Sequence, residues 1–410
     1  MKIGLYTLTS PLHDEAAVNV SSAAFIGEIE KALGISFDFR GQNFSDYGSH
    51  DLELIYVRTG GTEGLFKEVL PELNGPIRIL TSGKNNSLAA SMEILSYLNM
   101  LGRTGEIIHG SITYISERIR THAKVAAAVK KLKVSRLGII GAPSDWLISS
   151  NADASILAER LGVTLINIPI SEIEAEYSFS ANDELGETAQ AVDDEFRQNA
   201  PSALQKYADG AFRIYKALKS IIARYDLSGL TVRCFDLLES LGNTGCMALA
   251  ILNSEGIPAG CEGDVPALVT MAVGNALTGV CGFQANPSRI DPETGEILFA
   301  HCTIPLNMLS GYGFNTHFES GIGIAICGQI PSGDATIFKI SGDLSRTFCC
   351  DAQLIRCQSE RDLCRTQAIL KLEDKDLCRT YFLRNPVGNH HIIFPGRCKD
   401  LFEAFIAAAL

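Results

Sequence analysis

Residues 52–70, LELIYVRTGGTEGLFKEVL, decide the fold class of the first part of this chain. The apolar run Leu52–Val57 has the length and composition of a buried strand. Gly60 and Gly61 then form a turn, and Glu63 opens a helix. A buried strand followed directly by a helix is typical of the βαβ units that build a parallel sheet.

The same alternation of strand and helix extends in both directions from this stretch. It predicts strands at residues 2–8, 77–80, 137–141 and 163–168, and helices at residues 23–33, 87–101, 115–132 and 152–161. A break near Gly110 separates two series, and long polar helices between about 183 and 225 close the second. We therefore expect two N-terminal Rossmann-like modules, each a parallel α/β structure.

The composition changes near residue 228. All twelve cysteines lie between Cys234 and Cys398, and the apolar runs in this part of the chain are bounded by glycine-containing turns. Short apolar runs between turns predict strands. We expect an α/β protein with modules at 1–110 and 111–227, the second with long closing helices, and a β-rich C-terminal domain at 228–410.

The bulk composition limits the kinds of partner. The net charge is −12, which argues against nucleic acid, because phosphate binding needs a positive surface. No apolar run approaches the roughly 20 residues that span a bilayer. The N-terminal residues do not have the apolar core of a signal peptide. We therefore expect no nucleic-acid partner, no membrane partner and a cytoplasmic location.

Two turns of the first module lie where a strand ends and a helix begins. They contain Gly60 and Gly61, and then Asn85 and Asn86. Backbone N–H groups at such turns can bind hydroxyl or phosphate groups, which makes these four residues candidate sugar contacts. The same residue types are common in tight turns and helix caps, so both interpretations stay open. Neither turn has the spacing of a nucleotide-binding motif.

The C-terminal domain concentrates side chains that can bind a divalent metal ion. They occur in short segments of strand-and-turn character: Glu262 and Asp264 in GCEGDVPA, Asn286 in QANP, His301 in LFAHCT, His317 and Glu319 in THFES, and His390 and His391 in GNHHI. Each segment alone also fits a helix cap or a hydrogen-bonded structural histidine. Several of them in one domain favour a metal site, because divalent ions bind carboxylate, amide and imidazole ligands.

These segments resemble those of the L-fucose and L-arabinose isomerase superfamily, from about Val232 to the last residue. CEGDVPALVTM resembles the start of a helix whose glutamate is a metal ligand in that family, here Glu262. LFAHCTIP and GNHHIIFPG resemble segments with histidine ligands, which correspond to His301 and best to His391, with His390 adjacent. The two N-terminal modules resemble that superfamily more loosely.

One position departs from the family pattern. The family has a second acidic metal ligand, which also takes part in proton transfer, at the position of Asn286. An amide oxygen can bind a metal ion, but an asparagine cannot act as a base. Asp264 or Asp291 would then have to supply the missing carboxylate, or the reaction differs.

The resemblance implies a metal-dependent aldose–ketose isomerase that acts through a cis-enediol, with a divalent ion, Mn²⁺, as cofactor and a monosaccharide as substrate. It implies Glu262 as the catalytic carboxylate, with Asp264 second, and a metal held by Glu262, Asn286, His301, His391 and His390. His317 and Glu319 would contact sugar hydroxyls, and the chain would form a homo-oligomer, a trimer or a hexamer. Two alternatives stay open: a metal-dependent lyase or epimerase, and a non-catalytic sugar-binding homologue.

Overall fold

The computed structural model describes residues 2–179 and 184–410. The chain divides into two compact units, one formed by Met1–Ala128 with Ala404–Ala409 and the other by Val129–Glu403. Within the described residues, no helix is both long enough and apolar enough to cross a membrane.

The first unit contains a five-stranded sheet in which all neighbouring strands are parallel. Its elements are β1 Ile3–Leu8, α1 Glu15–Leu33, β2 Asp38–Gly41, β3 Leu52–Val57, α2 Glu63–Val69, β4 Ile77–Thr81, α3 Ser87–Met100 and β5 Gly105–Ile108, and α4 Ile112–Leu132 follows them. The strand order is β2-β1-β3-β4-β5. All residues of β1, β3 and β4 are buried, as expected for parallel strands that are covered on both faces.

The second unit begins with a four-stranded parallel sheet. The elements are β6 Arg136–Ile140, α5 Ala154–Leu161, β7 Thr164–Ile168, α6 Ser171–Phe179, α7 Glu187–Asn199, α8 Gln205–Tyr225, β8 Gly229–Val232, α9 Asp236–Leu241, α10 Cys246–Ser254, β9 Ala259–Cys261 and α11 Val265–Thr278. The strand order is β7-β6-β8-β9. Because β8 and β9 follow residue 228, strands from both sides of that position share this sheet. The three-domain division stays a prediction.

The C-terminal part of this unit is a closed antiparallel barrel. The elements are β10 Phe283–Asp291, β11 Glu296–His301, β12 Gly311–Asn315, β13 Ala325–Gln329, β14 Gly333–Ile340, β15 Thr347–Gln358, β16 Thr366–Leu372 and β17 His391–Pro395. The helix α12 Lys399–Ala409 follows, and its residues from Ala404 onward belong to the first unit. The barrel order is β10-β11-β16-β15-β14-β17, while β12 and β13 form a separate two-stranded ribbon. The expected fold class, parallel α/β structure followed by a β-rich C-terminal region, is confirmed.

One side chain joins the parallel sheet to the barrel. Gln284 of β10 accepts a hydrogen bond from Cys261 N at 2.9 Å and donates to the Cys261 carbonyl oxygen at 3.4 Å. Gln284 is almost completely buried, and both ends of its amide are therefore used. This contact places the end of β9 beside the barrel strands.

Candidate metal centre

Glu262 lies in a tight turn between β9 and α11. Its backbone has a φ of +66°, a left-handed conformation that is uncommon for residues other than glycine, and Gly263 follows with a φ of +70°. A Cβ atom at residue 263 would come within 2.4 Å of the Ala142 carbonyl oxygen, so the close approach requires glycine. Ser144 N also donates to the Glu262 carbonyl oxygen at 2.9 Å. The turn therefore holds Glu262 in one backbone conformation.

Asp264 begins α11 as its N-cap. Its Oδ1 accepts a hydrogen bond from Ala267 N at 2.7 Å. Pro266 lies in the first turn, where the missing N–H would have had no partner in the helix. The helix is mostly apolar and buried along nearly its whole length. It therefore gives the turn before it a rigid support.

Three side chains that are distant in the sequence converge beside this turn. They are Glu262, His301 at the end of β11 and His390 just before β17, and their ligand atoms all lie within 4.8 Å of one another. Glu262 Oε1 is 3.7 Å from His301 Nε2 and 3.5 Å from His390 Nε2. All three residues are buried. One carboxylate oxygen and two imidazole nitrogens so close together are suitable donors for a divalent metal ion.

Both histidines are oriented through their other ring nitrogen. His390 Nδ1 is 2.8 Å from Asp264 Oδ2, and His301 Nδ1 is 3.2 Å from Thr303 Oγ1. Metal-binding histidines commonly have such a bond, which fixes the ring and leaves the second nitrogen for the metal. In agreement with this arrangement, His390 Nε2 has no hydrogen-bond partner among the residues that the structure describes.

Trp146 contacts the other oxygen of Glu262. Its Nε1 donates to Glu262 Oε2 at 2.6 Å, while Oε1 is the oxygen nearest to the histidines. The Trp146 ring is 52% exposed. It packs edge-to-face on Phe235, with the ring centroids 4.9 Å apart. Phe235 packs in the same way on His317, with a centroid distance of 5.3 Å. His317 is thus connected to the cluster through two aromatic rings.

Opposite charges stabilise each other within the cluster. Burial raises the pKa of the Glu262 carboxyl, but His301 and His390 outweigh this effect and hold that pKa well below its usual range. Burial lowers the pKa of His390, but Asp264 and Glu262 raise it to about 9. Glu262 is therefore ionised near neutral pH, and a metal ion that binds here has to displace a proton from His390.

Asp264 is completely buried and has a second charged neighbour. Lys339 Nζ lies 3.8 Å from Asp264 Oδ1. Burial raises the pKa of Asp264, but Lys339 and His390 outweigh it and lower that pKa. Its two oxygens are engaged by Ala267 N and by His390, respectively. The catalytic role that the resemblance implies for Asp264, as second candidate, stays a prediction.

The structure brings His390 to the cluster, and not His391, which the resemblance favours. Both ring nitrogens of His391 have other partners: Nε2 lies 2.9 Å from the Tyr381 hydroxyl, and Nδ1 lies 2.9 Å from the Asn389 carbonyl oxygen. The ring packs among aromatic side chains, and burial lowers its pKa to about 3. Successive residues of an extended chain point to opposite faces, so only one of the two histidines can face Glu262.

Asn286 lies in the barrel strand next to His301. It is paired with Ala300, the residue before His301. Its Oδ1 is buried and has no hydrogen-bond partner within the described residues. An unpaired buried oxygen costs about 1–3 kcal/mol, so a further partner such as a cation would stabilise it. Its role as a metal ligand stays a prediction.

The other candidate sugar contacts are less closely tied to the cluster. In the first unit, Gly60 N donates to the Asn85 carbonyl oxygen at 2.7 Å. Gly61, Asn85 and Asn86 all have left-handed backbone conformations, with φ values of +72°, +53° and +57°. Glu319, in the second unit, is exposed. Sugar contact by these residues stays a prediction.

Three residues with direct contacts in this region were missed by sequence reasoning. Trp146 is the single tryptophan of the chain, and Lys339 is a lysine within an otherwise apolar strand, TIFKI. A charged residue in an apolar strand is a usable signal, because burial of an unpaired charge is costly. Thr303 carries no signal apart from its position two residues after His301.

Fold and site together define an α/β protein with a buried carboxylate–histidine cluster, and sequence comparison adds a likeness to sugar isomerases. No protein-family profile matches the chain. The chain is 25% identical over 242 residues to a sulfoquinovose isomerase of Clostridium sp. (strain MSTE9), which is 57% of this chain and 54% of that protein. It is 24% identical over 281 residues to a sulfoquinovose isomerase of Priestia aryabhattai, 66% of this chain and 61% of that protein. The chain thus spans between about half and three-fifths of the length of these relatives.

Proposed function

We propose that this protein is a metal-dependent sugar isomerase that interconverts an aldose and a ketose. The observation that carries the proposal is the convergence of the ligand atoms of Glu262, His301 and His390 within 4.8 Å. The similarity to sulfoquinovose isomerases supports a sugar as the substrate. Sulfoquinovose, a hexose with a sulfonate group, is the first compound to test.

The donor atoms fit a divalent metal ion. Glu262 offers a carboxylate oxygen, and His301 and His390 each offer a ring nitrogen. Asn286 is the proposed fourth ligand, because its buried Oδ1 lacks a partner among the described residues. We propose Mn²⁺, since carboxylate, amide and imidazole ligands suit it. A bound divalent ion would polarise the sugar carbonyl and lower the free energy of negative charge on a cis-enediol.

Glu262 is the proposed catalytic base. The two histidines hold its pKa well below the usual range, so the carboxylate is in the ionised form that a base requires. It would take the proton from C2 of the aldose and return it to C1, while the hydroxyl proton moves from O2 to O1, and the product is the ketose. Asp264 is less suited to this task, because its side chain is completely buried and its Oδ2 is bonded to His390.

Trp146 is the residue that we propose to position the sugar. Its half-exposed ring lies next to Glu262 and offers an apolar face for the C–H groups of a sugar ring. The indole N–H simultaneously holds Glu262 Oε2. His317, which packs on Phe235 behind the indole, is proposed to assist together with Glu319.

A second candidate function is a non-catalytic sugar-binding protein. Asn286 favours it, because an amide cannot replace a carboxylate in proton transfer. This alternative requires sugar affinity that does not depend on a metal ion, and no exchange of substrate protons with solvent. A lyase or epimerase on the same site would also exchange protons, but it would give cleaved or epimeric products.

The test is a panel of aldoses and ketoses, including sulfoquinovose, incubated with the protein and Mn²⁺ in deuterated water. Isomerisation should label C1 or C2 of the product without cleavage, and NMR spectroscopy detects both the label and the product. A parallel sample with excess chelator should be inactive. Sugar binding without any deuterium incorporation would favour the non-catalytic protein and contradict the proposal.

We also propose that the chain forms a homo-oligomer, a trimer or a hexamer. The support is the resemblance to isomerases that assemble in this way. Light scattering at micromolar concentration should give three or six times the mass of one chain. The mass of a single chain would contradict this proposal.

A further inference from the structure

A cavity of about 880 Å³ lies in the second unit, and none of the three candidate metal ligands lines it. Its wall consists of the first turn of α5 with the loop before it, the end of β14 with the turn that follows, and Pro386–Gly388 just before the His390 segment. A cavity of this size is typical of a site for a small molecule. Its wall is partly polar, with serine side chains from both the α5 loop and the turn after β14.

Lys339 of β14 is the feature that points to a ligand. It lines the cavity, yet only 1% of its surface is exposed. Its Nζ has no hydrogen-bond partner among the described residues, and its one described ion pair is with Asp264 at 3.8 Å. An ammonium group has three donors, and leaving them unpaired in a buried position is costly. Acceptor oxygens of a molecule bound in the cavity would supply the missing partners.

The other charged groups of the wall are already engaged. Asp153 caps α5 and accepts hydrogen bonds from the N–H groups of Ser155 and Ile156. Asp343 accepts hydrogen bonds from the serine residues on either side of it. Arg346 donates to Asn385 and Pro386. Lys339 is therefore the charge of this wall that lacks a hydrogen-bonded partner among the described residues.

We propose that this cavity binds a tetrahedral oxyanion, a phosphate, sulfate or sulfonate group, with Lys339 as its cationic partner. Oxyanions offer several acceptor oxygens, which match the three unpaired donors of the ammonium group. The Ser149 and Ser150 hydroxyls of the wall can donate to the remaining oxygens. The group is either a free inorganic ion or a substituent on a sugar, and the size of the cavity allows both.

This site is separate from the metal centre but is connected to it by one carboxylate. Asp264 Oδ1 faces Lys339, and Asp264 Oδ2 is bonded to His390. An anion that pairs with Lys339 weakens the hold of the lysine on Asp264 and so alters the carboxylate that orients His390. Metal and anion should therefore change each other's affinity by the same factor, as thermodynamic linkage requires. This connection rests on the proposed function, whereas anion binding itself does not.

The primary test is calorimetric titration of the metal-free protein with inorganic sulfate in a buffer of low ionic strength. Sulfate is chosen because it does not precipitate divalent metals. Binding at or below millimolar concentration is expected, and Lys339→Met should weaken it about tenfold or more. Lys131→Met is the matched control, because Lys131 donates to Asn275 instead and should leave sulfate affinity unchanged. A glucose 6-phosphate titration separates the two sources: tighter binding than sulfate indicates a sugar-borne group, and equal or weaker binding indicates the free ion.

A second pair of variants keeps the test decisive if Lys339→Met does not fold. Ala154 is exposed on the cavity wall in the first turn of α5. Ala154→Glu adds a negative charge that a helix N-terminus tolerates, and it should weaken sulfate binding severalfold, while Ala154→Gln should not. Absence of sulfate binding to the wild-type protein overturns the proposal. The proposal is also overturned if a folded Lys339→Met variant binds sulfate as tightly as the wild type, or if the two Ala154 variants bind it equally. None of these readouts depends on isomerase activity.

Discussion

Two carboxylate–histidine clusters, one in each unit, differ in what completes them. In the first unit, Glu106 lies 3.0 Å from His122 Nε2, and the guanidinium of Arg118 donates to both of its oxygens. In the second unit, Glu262 faces His301 and His390, and no arginine is bonded to it among the described residues.

The difference separates a structural ion pair from a candidate metal site. The fork of Arg118 matches a carboxylate with two parallel hydrogen bonds, which leaves no position for a metal on Glu106. At Glu262, one oxygen is held by Trp146, and the other lies 3.5–3.7 Å from two ring nitrogens, too far for strong hydrogen bonds. A cation between these atoms would bind all three. The arrangement of donors, more than the residue types, distinguishes the two sites.

The largest expected effect comes from neutralising Glu262, and the same change at Glu106 is its control. Glu262→Gln should abolish metal binding at this site and lower isomerase activity by about 10²- to 10⁴-fold, because it removes a ligand and the proposed base. Glu106→Gln should leave both quantities unchanged. Metal analysis and the deuterium-exchange assay measure the effects. Equal loss of activity in the two variants would show that the comparison is wrong.

The next effect concerns the orientation of His390. Asp264→Asn should lower metal affinity about 10- to 100-fold, because the partner of a ligand histidine fixes its ring and raises its basicity. Asparagine is as good an N-cap as aspartate, so α11 should be preserved, but the buried Lys339 loses its ion-pair partner and the thermal midpoint should fall. Metal titration with circular dichroism as a folding control tests this expectation. Unchanged affinity would mean that Asp264 supports only the helix.

The stability that Glu106 contributes to the fold should decrease in acid. Burial raises the pKa of Glu106, but the neighbouring Arg118 and His122 outweigh it and lower the pKa from 4.5 to about 2. A lowered carboxyl pKa stabilises the fold above pH 4.5, and this contribution is lost as the pH falls to about 2. We expect the free energy of unfolding to fall by about 1–2 kcal/mol over this pH range. Partial solvent exposure of Glu106 keeps this value small.

The measurement is the free energy of unfolding by urea at a series of pH values. Glu106→Gln should remove this part of the pH dependence and leave the contributions of other carboxyl groups in place. Identical slopes for wild type and variant between pH 4.5 and 2 would contradict the assignment.

The smallest expected effect restores a carboxylate to the metal centre. Asn286→Asp should raise any isomerase activity by about threefold or more, because aspartate can both bind the metal and move protons. Asn286→Ala is the control and should lower metal affinity if the amide oxygen is a ligand. Steady-state kinetics at saturating Mn²⁺ separates the two effects. A fall in activity with aspartate would indicate that the site is built for a neutral ligand.

Local patterns were sufficient for the fold class. In the first unit, apolar runs such as Leu52–Val57 alternate with helical segments. This alternation of strand and helix indicates a parallel sheet from the sequence alone. The β-rich character of the C-terminal part was also evident from its turns. Closure into a six-stranded barrel was not, because pairing of β10 with β17 joins residues about a hundred positions apart. No local signal reports such long-range pairing.

The sequence by itself determined the kinds of side chain available to this site, with Glu262 at a helix start and His301 at a strand end. Only the tertiary structure shows that His390 lies beside Glu262 while its neighbour His391 is bonded to Tyr381. It also decided the partners of Asp264 and the burial of Lys339, which come from elements far apart in sequence. The physical reason is that residue type sets what a group can bind, whereas packing sets which group it meets.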